Sequence, residues 1–491
     1  MDRRVRPLWL LFLLLPVLAF GQPSSQPDAA RIRLKMMKLN FLGSVLYVAA
    51  HPDDENTRII TYMANDRLAA TAYLSMTRGD GGQNLVGPEI RDKLGLIRTQ
   101  ELLAARRIDG GQQFFTRAVD FGYSKSATET FGIWGKDEIL SDVVRVYRMF
   151  KPDVILTRFP PDERAGHGHH TASAVLAAEA FDLASSDDFM PDQVREFGLA
   201  KPVRLYTNTG RWWNNSITAE TPGVVAVDVG KYNTLLGASY TEIAAISRSQ
   251  HKSQGFGSGG SRGEELEFFE YVKGAHCDKD LFEGINTTWS RVEGGAPIQR
   301  LVDDMIAAYD MENPAASVPA LLNIRKKISS LKPGVWKERK LAEVNQLIKD
   351  CLGLYCAATA GRYYAVPGEP LSVEFEFVNR SNGSVVVESV RSEALHLDTL
   401  VHAKLDENIL LEFATAHPVD GNLGYSGPYW LQEPHGLGRF TVKDADLIGM
   451  PVSRPPIRFT VSLRVLGEPL SVDVPLNYRW VDPVKGEQVR P

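Results

Sequence analysis

"YVAAHPDDENTRII", residues 47–60, passes without a break from an apolar run into one histidine, two aspartates and a glutamate. The apolar part reads as a buried strand ending near Ala50, and the polar part as the crest loop and first turn of a helix over about 53–65. Pro52 suits that first turn, because its missing N–H would be unpaired there anyway. On such a turn His51 and Asp54 project to one side and Asp53 to another. Two groups are thereby aimed at one point, with a third carboxylate beside them.

Outward from this stretch the same alternation repeats. "AATAYLSMT", "DVILTRF", "VRLYTNT" and "VVAVDV" read as strands, separated by helices over about 89–107, 136–149, after His169 and 232–249. Strands taking turns with helices predict an α/β, Rossmann-like, mostly parallel sheet covered on both faces. Working groups in such a sheet lie outside the carboxyl ends of its strands. "HKSQGFGSGGSRGEE", residues 251–265, is either a plain loop or a lid. Residues 297–357 read as two or three linking helices. From Ala360 the period changes to two, which predicts a C-terminal antiparallel β-sandwich. The expected organisation is a signal peptide over 1–21, a catalytic domain over 31–275, a helical linker over 276–359 and the sandwich over 360–491.

A second chemical cluster, "PPDERAGHGHHTASAV", also lies between a strand and a helix. If the two strands are neighbours, His51, Asp54 and one of His167, His169 and His170 make a set of two imidazoles and one carboxylate. Three protein ligands leave a coordination position open, as hydrolytic zinc sites do and structural ones do not. Either cluster alone has a plainer use, since acids at a helix start stabilise its dipole. Their occurrence together at two crests points to metal chemistry.

Five segments, "AHPDDE", "TRGDGGQN", "IRTQELLAA", "GHGHH" and "SQHKSQ", carry a resemblance to the PIG-L or LmbE-like zinc-dependent de-N-acetylases, over roughly residues 40–260. The resemblance implies Zn2+, with Fe2+ or Co2+ as alternatives, held by His51, Asp54 and His170. It implies Asp53 as general base and acid, and His167 as support for the oxyanion or leaving group. His169 stands where many members carry an aspartate. Arg98, Arg78, Asp80, His251 and Gln254 match motif positions that approach substrate. The implied reaction is hydrolysis of an N-acetyl amide on an N-acetylglucosamine-type sugar or glycan. Two alternatives stay open: an amidase acting on a non-sugar or thiol-conjugate amide, and a catalytically silent glycan-binding protein.

The balance of 55 basic against 60 acidic residues, net −5, gives no electrostatic reason for a nucleic-acid partner. "MDRRVRPLWLLFLLLPVLAFGQ" has the basic start, short apolar stretch and small residues of a secretory signal, too short to span a membrane. Export to the periplasm or beyond, with no membrane span after its removal, is the expectation. Cys277, Cys351 and Cys356 read as structural, with the last two close enough in sequence to bridge. Trp212 and Trp213 have core packing as their ordinary use and sugar stacking as the other. Tyr425, Tyr429 and Trp430 are the exposed-aromatic candidates of the sandwich. Deleting residues 360–491 is expected to leave activity on a small substrate.

Overall fold

A computed structural model describes residues 26–490; the expected signal segment lies outside them. After a short helix, α1 (Ala29–Lys38), β1 (Ser44–Ala49) enters the centre of a seven-stranded sheet. The other strands are β2 (Ala70–Ser75), β3 (Gln112–Phe115), β4 (Val154–Thr157), β5 (Arg204–Thr209), β6 (Val224–Asp228) and β9 (Leu266–Gly274). A small hairpin, β7 (Tyr232–Asn233) and β8 (Ala238–Ser239), stands apart. Sheet order is β3-β2-β1-β4-β5-β9-β6, parallel through β5 and antiparallel at β9 and β6.

Every residue of β1 is buried, so the strand reads as a continuous apolar run whose side chains alternate between two cores. Val45, Tyr47 and Ala49 face the core shared with α2 (Thr57–Asn65), α3 (Asp92–Asp109) and α8 (Tyr240–Arg248). Leu46 and Val48 face the core shared with α4 (Ala127–Trp134), α5 (Lys136–Phe150) and α6 (Gly168–Leu183). From β1 the chain winds one way to β2 and β3, then crosses back to β4 and β5. The reversal falls between β1 and β4, where open α/β sheets form their ligand crevice.

Past α7 (Pro191–Phe197) and β9, the helices α9 (Ala296–Ala307), α10 (Val318–Ser329) and α11 (Val335–Leu352) lead into the C-terminal strands. These are β10 (Tyr355–Ala360), β11 (Pro370–Val378), β12 (Val385–Ser392), β13 (Leu397–Leu405), β14 (Leu411–Pro418), β15 (Arg458–Val465), β16 (Glu468–Asp482) and β17 (Gly486–Arg490). The long strand β16 pairs β15 along its first half, touches β10 in parallel, and ends against β17. It thus joins both faces into one barrel-like, mostly antiparallel path. Phe375 of β11 meets Phe459 of β15 edge-on at 4.8 Å across the interior. Ile32 and Met36 of α1, Leu39 just past its end, the three linking helices and this sheet share one apolar core. All three cysteines are free.

The segment between β14 and β15 does not stay with the C-terminal sheet. It returns to the first sheet, where Phe115 and Val119 donate backbone hydrogen bonds to Gly449 and Gly438, and Phe440 donates to Arg117. A Cβ on Gly438 would fall 1.7 Å from the Ile133 carbonyl, so only glycine allows this approach. Tyr429 and Trp430, expected to be exposed, are buried there with Phe440 and Val119. Tyr425 remains 95% exposed.

Candidate metal centre

The loop after β1 is tighter than its sequence suggests. Helix α2 starts at Thr57, capped by the Asn56 side chain, rather than near Asp53. Residues 51–54 form a turn instead, closed by Asp54 N–H donating to His51 O at 3.2 Å. The cause is local: the Asp54 carboxylate accepts from the His51 N–H at 2.8 Å and lies 3.0 Å from its Nδ1, which holds both residues out of the helix. Asp53 takes φ 96 at the corner.

The loop after β4 carries the imidazoles. His167 caps α6, its Nδ1 accepting from the His169 N–H at 3.0 Å. That leaves the proton of the neutral ring on Nε2, and the ring lies 4.9 Å from that of His170 and 5.6 Å from that of His51. His170 stacks flat on Phe159 at 3.8 Å and its Nδ1 lies 3.2 Å from Ala165 O, so Nε2 is left as the lone-pair nitrogen, 3.7 Å from Asp54 Oδ2. Ligand-type atoms of His51, Asp54 and His170 lie within 4.8 Å of one another, and all three residues are part-exposed.

His51 has a second face. Its Nε2 lies 3.1 Å from His169 Nδ1 and 3.9 Å from Asp120 Oδ2, so His51, Asp120 and His169 form a second compact set, two of its members fully buried. Asp120 has no motif around it in the sequence; it arrives on the loop after β3. A hydrolytic centre needs room for substrate, which the first set has and the buried one lacks. The second set matches the role of partner to a ligand imidazole, which metal-binding histidines nearly always require.

Electrostatics agree with this division. Burial alone would raise Asp54, but the His170 and His51 rings outweigh it and hold the carboxyl well below the ordinary range. Burial lowers His170 despite the Asp54 charge, and lowers His167 to about 4, so both present neutral rings. Asp53 is raised to about 6 by burial against the opposing pull of Arg98.

The five residues expected to contact substrate are mostly closed off. Arg98 donates to Asp53 Oδ1 at 2.8 Å, to Gly79 O and to Pro52 O, forming the floor beneath Asp53. His251 is fully buried, 2.7 Å from Glu55 Oε1, while Glu55 Oε2 accepts the Asp53 N–H at 2.8 Å. Burial opposes ionisation of Glu55, yet His251 and Arg106 outweigh it and bring it to about 2. Gln254 donates to Gln83 O, tying two loops. Asp80 is buried beside Asp120, with no hydrogen bond from any side chain among the described residues, and burial raises it to about 7.

Arg78 departs furthest from expectation. Its guanidinium lies between Phe115 at 4.2 Å and Trp430 at 3.4 Å, and it donates to Tyr429 Oη, Met450 O and Pro451 O. It clamps the returning C-terminal segment rather than lining the centre. Conversely, Trp212 and Trp213 are exposed and not in the core, with the Arg158 guanidinium 5.0 Å from the Trp212 ring.

Residues 46–181 match the PIG-L family, described as GlcNAc-PI de-N-acetylase. Among solved structures, the 4-carboxy-2-hydroxymuconate hydratase GalB of Pseudomonas putida KT2440 is 18% identical at a TM-score of 0.32, covering 48% of this chain and 98% of that one. The N,N'-diacetylchitobiose deacetylase of Pyrococcus horikoshii is also 18% identical at a TM-score of 0.32, covering 50% of this chain and 94% of that one. Comparison with curated proteins finds no match.

Proposed function

We propose, taking as premise that residues 46–181 are a PIG-L domain, that this protein is an exported metal-dependent hydrolase that removes the N-acetyl group from an amino sugar or glycan. The observation that carries the reading is the convergence of His51, Asp54 and His170 on one point, with Asp53 beside them. The donor set fits a divalent ion: two imidazoles held neutral, one carboxylate held ionised, and an open side. Zinc suits this set, Fe2+ and Co2+ being the alternatives, and such an ion supplies Lewis acidity and acidifies a water.

The chain's own groups account for the proton movements. Asp53 accepts the proton of the attacking water and delivers it to the departing amine. Arg98 fixes the carboxylate's direction from below, and Glu55, backed by His251, fixes the backbone of the same residue. His167, its Nε2–H free to donate, faces the amide oxygen as negative charge builds there; a donor of this kind is worth about 2.7 to 4 kcal/mol.

Among the described residues no helix is long and apolar enough to cross a membrane. The arginine-led apolar opening supports export, and export favours an external glycan over a cytosolic thiol conjugate. The test is acetate release from N-acetylated sugars and non-sugar N-acetyl amides by zinc-loaded protein. Release from the sugars supports the reading. Release confined to non-sugar amides turns it to an amidase, and glycan binding without release turns it to a silent binder.

A further inference from the structure

Helix α3 carries the supports of the Asp53 corner. Arg98 donates to Asp53 Oδ1 at 2.8 Å and Arg106 to Glu55 Oε1 at 3.2 Å, while the Glu101 carboxylate accepts from the Ser253 N–H and hydroxyl at 2.7 and 2.6 Å. The start of this helix is poorly secured by its own sequence. Its N-cap is Arg91, at φ 54 and with no side-chain cap bond, where a serine, threonine or aspartate would satisfy the first free N–H groups. Gly95 closes the first turn, because a Cβ there would lie 2.0 Å from Asp80 Oδ1, and glycine inside a helix weakens it.

What secures it comes from the far end of the chain. His435, on the segment that returns from the C-terminal sheet, places Nε2 3.2 Å from Asp92 Oδ1 and Nδ1 2.8 Å from Gly436 O, with its ring 4.6 Å from that of Phe440. Carbonyl and carboxylate oxygens only accept, so the ring makes both bonds with a proton on each nitrogen. Among the described residues no other side chain is hydrogen-bonded to Asp92. One turn along the same face, at i, i+4, Leu96 packs against Val119, Tyr429, Trp430 and Phe440. Arg98 follows two positions later, about 200° round the helix from Leu96. Helix α3 is therefore wedged between the returning segment on one face and the Asp53 corner on the other.

We propose that His435 is a positioning residue for the reaction: by holding Asp92 it sets the start of α3, and with it the Arg98 guanidinium that aims the Asp53 carboxylate. The effect on turnover rests on the hydrolase reading above; the effect on the helix rests on the geometry alone. The plainer role of His435 is to pack the returning segment on itself through Phe440. That role leaves α3 and Asp53 undisturbed when the ring is removed, whereas a positioning role does not, since small displacements of a catalytic group lower the rate steeply.

The experiment uses the full chain loaded with zinc, N-acetylglucosamine as substrate, and amide hydrogen exchange as a readout that needs no turnover. In His435→Ala, kcat falls on the order of tenfold, while KM and zinc content stay as in the wild type. The amides of residues 95–98 and of Asp53 exchange faster in that variant, and those of β1 do not. His435→Gln, whose amide nitrogen reaches the place of Nε2 and donates to Asp92, recovers most of kcat and of the protection. Asp92→Ala, alone or combined with His435→Ala, gives the same loss as His435→Ala, because the same bond is removed in all three. Tyr425→Ala, an exposed ring on the same segment, changes neither readout. A wild-type kcat in His435→Ala, a glutamine variant as slow as the alanine one, losses that add in the double variant, or faster exchange confined to 429–451 overturns the proposal. A wild type that turns over neither an N-acetyl sugar nor another N-acetyl amide refutes the hydrolase reading; faster exchange at 95–98 and Asp53 in His435→Ala then upholds the tie to the helix, and its absence overturns it.

Discussion

Asp53 combines a corner conformation, φ 96, with a carboxylate fixed by Arg98. Among residues with a Cβ, asparagine is one of the most tolerant of positive φ, and it keeps the side-chain shape, so Asp53→Asn isolates the chemistry from the fold. It should retain metal and lose about 10²- to 10⁴-fold in kcat; equal turnover in variant and wild type would remove Asp53 from the mechanism. Asp80 offers a test of a different kind. Its carboxyl is raised to about 7 in the folded protein by burial and by Asp120, so the folded state holds a proton there that the unfolded chain releases near pH 4. Stability from this group is therefore present at pH 4 and lost as pH rises toward 7, on the order of 4 kcal/mol in all. Asp80→Asn, which resembles the protonated form, should flatten that decline in Tm between pH 4 and 8; an unchanged slope contradicts the assignment. The gathering of His51 and Asp54 with the later histidines was legible in the sequence, because His51, Asp53, Asp54 and the three later histidines stand in compact runs. Asp120 was not legible: a single aspartate in "RAVDFG" carries no pattern, and only the folding of the β3 loop brings it to His51.

At the scale of elements, the alternation of apolar strands with helices was readable because parallel strands are buried on both faces. The antiparallel strand β9 escaped, since "LEFFEYVKG" lies directly after a glycine-rich stretch and inserts between two strands that precede it in sequence. Helix α2 began later than its sequence suggested, because the Asp54 side chain took up the His51 N–H and Asn56 became the cap. The return of residues 429–451 to the first sheet had no sequence signal at all; it is a contact between segments more than 300 positions apart. Arg78 is one of the side chains that hold it, beside Arg439 on Glu138 and His435 on Asp92. Arg78→Ala would leave Pro451 O and the Tyr429 hydroxyl without the donor Arg78 gives them, leave Met450 O with the Tyr429 hydroxyl alone, and empty the space between Phe115 and Trp430. The expected loss is on the order of 3 kcal/mol, read as a lower urea midpoint and as new proteolytic cleavage within 420–457. A midpoint equal to wild type would show that the clamp contributes nothing.

For the whole molecule, the C-terminal sheet is not a detachable appendage. Its core is continuous with α1 and the linking helices, and its returning segment covers Phe115 and Val119 of the first sheet. Removal of residues 360–491, expected from sequence to spare activity, should instead give a chain that does not unfold as one cooperative unit. Circular dichroism and thermal unfolding check this; a truncated protein with a sharp transition and full turnover would show that the two parts fold alone.

The most direct measurement is metal content by mass spectrometry of purified wild type, Asp54→Ala and His170→Ala, alongside His169→Ala. One divalent ion per chain is expected in the wild type, with loss of it in the Asp54 and His170 variants and partial retention in the His169 variant, whose ring supports His51 without holding the ion. An unchanged ratio in the first two variants, or loss confined to His169→Ala, would place the ion in the buried set and contradict that expectation.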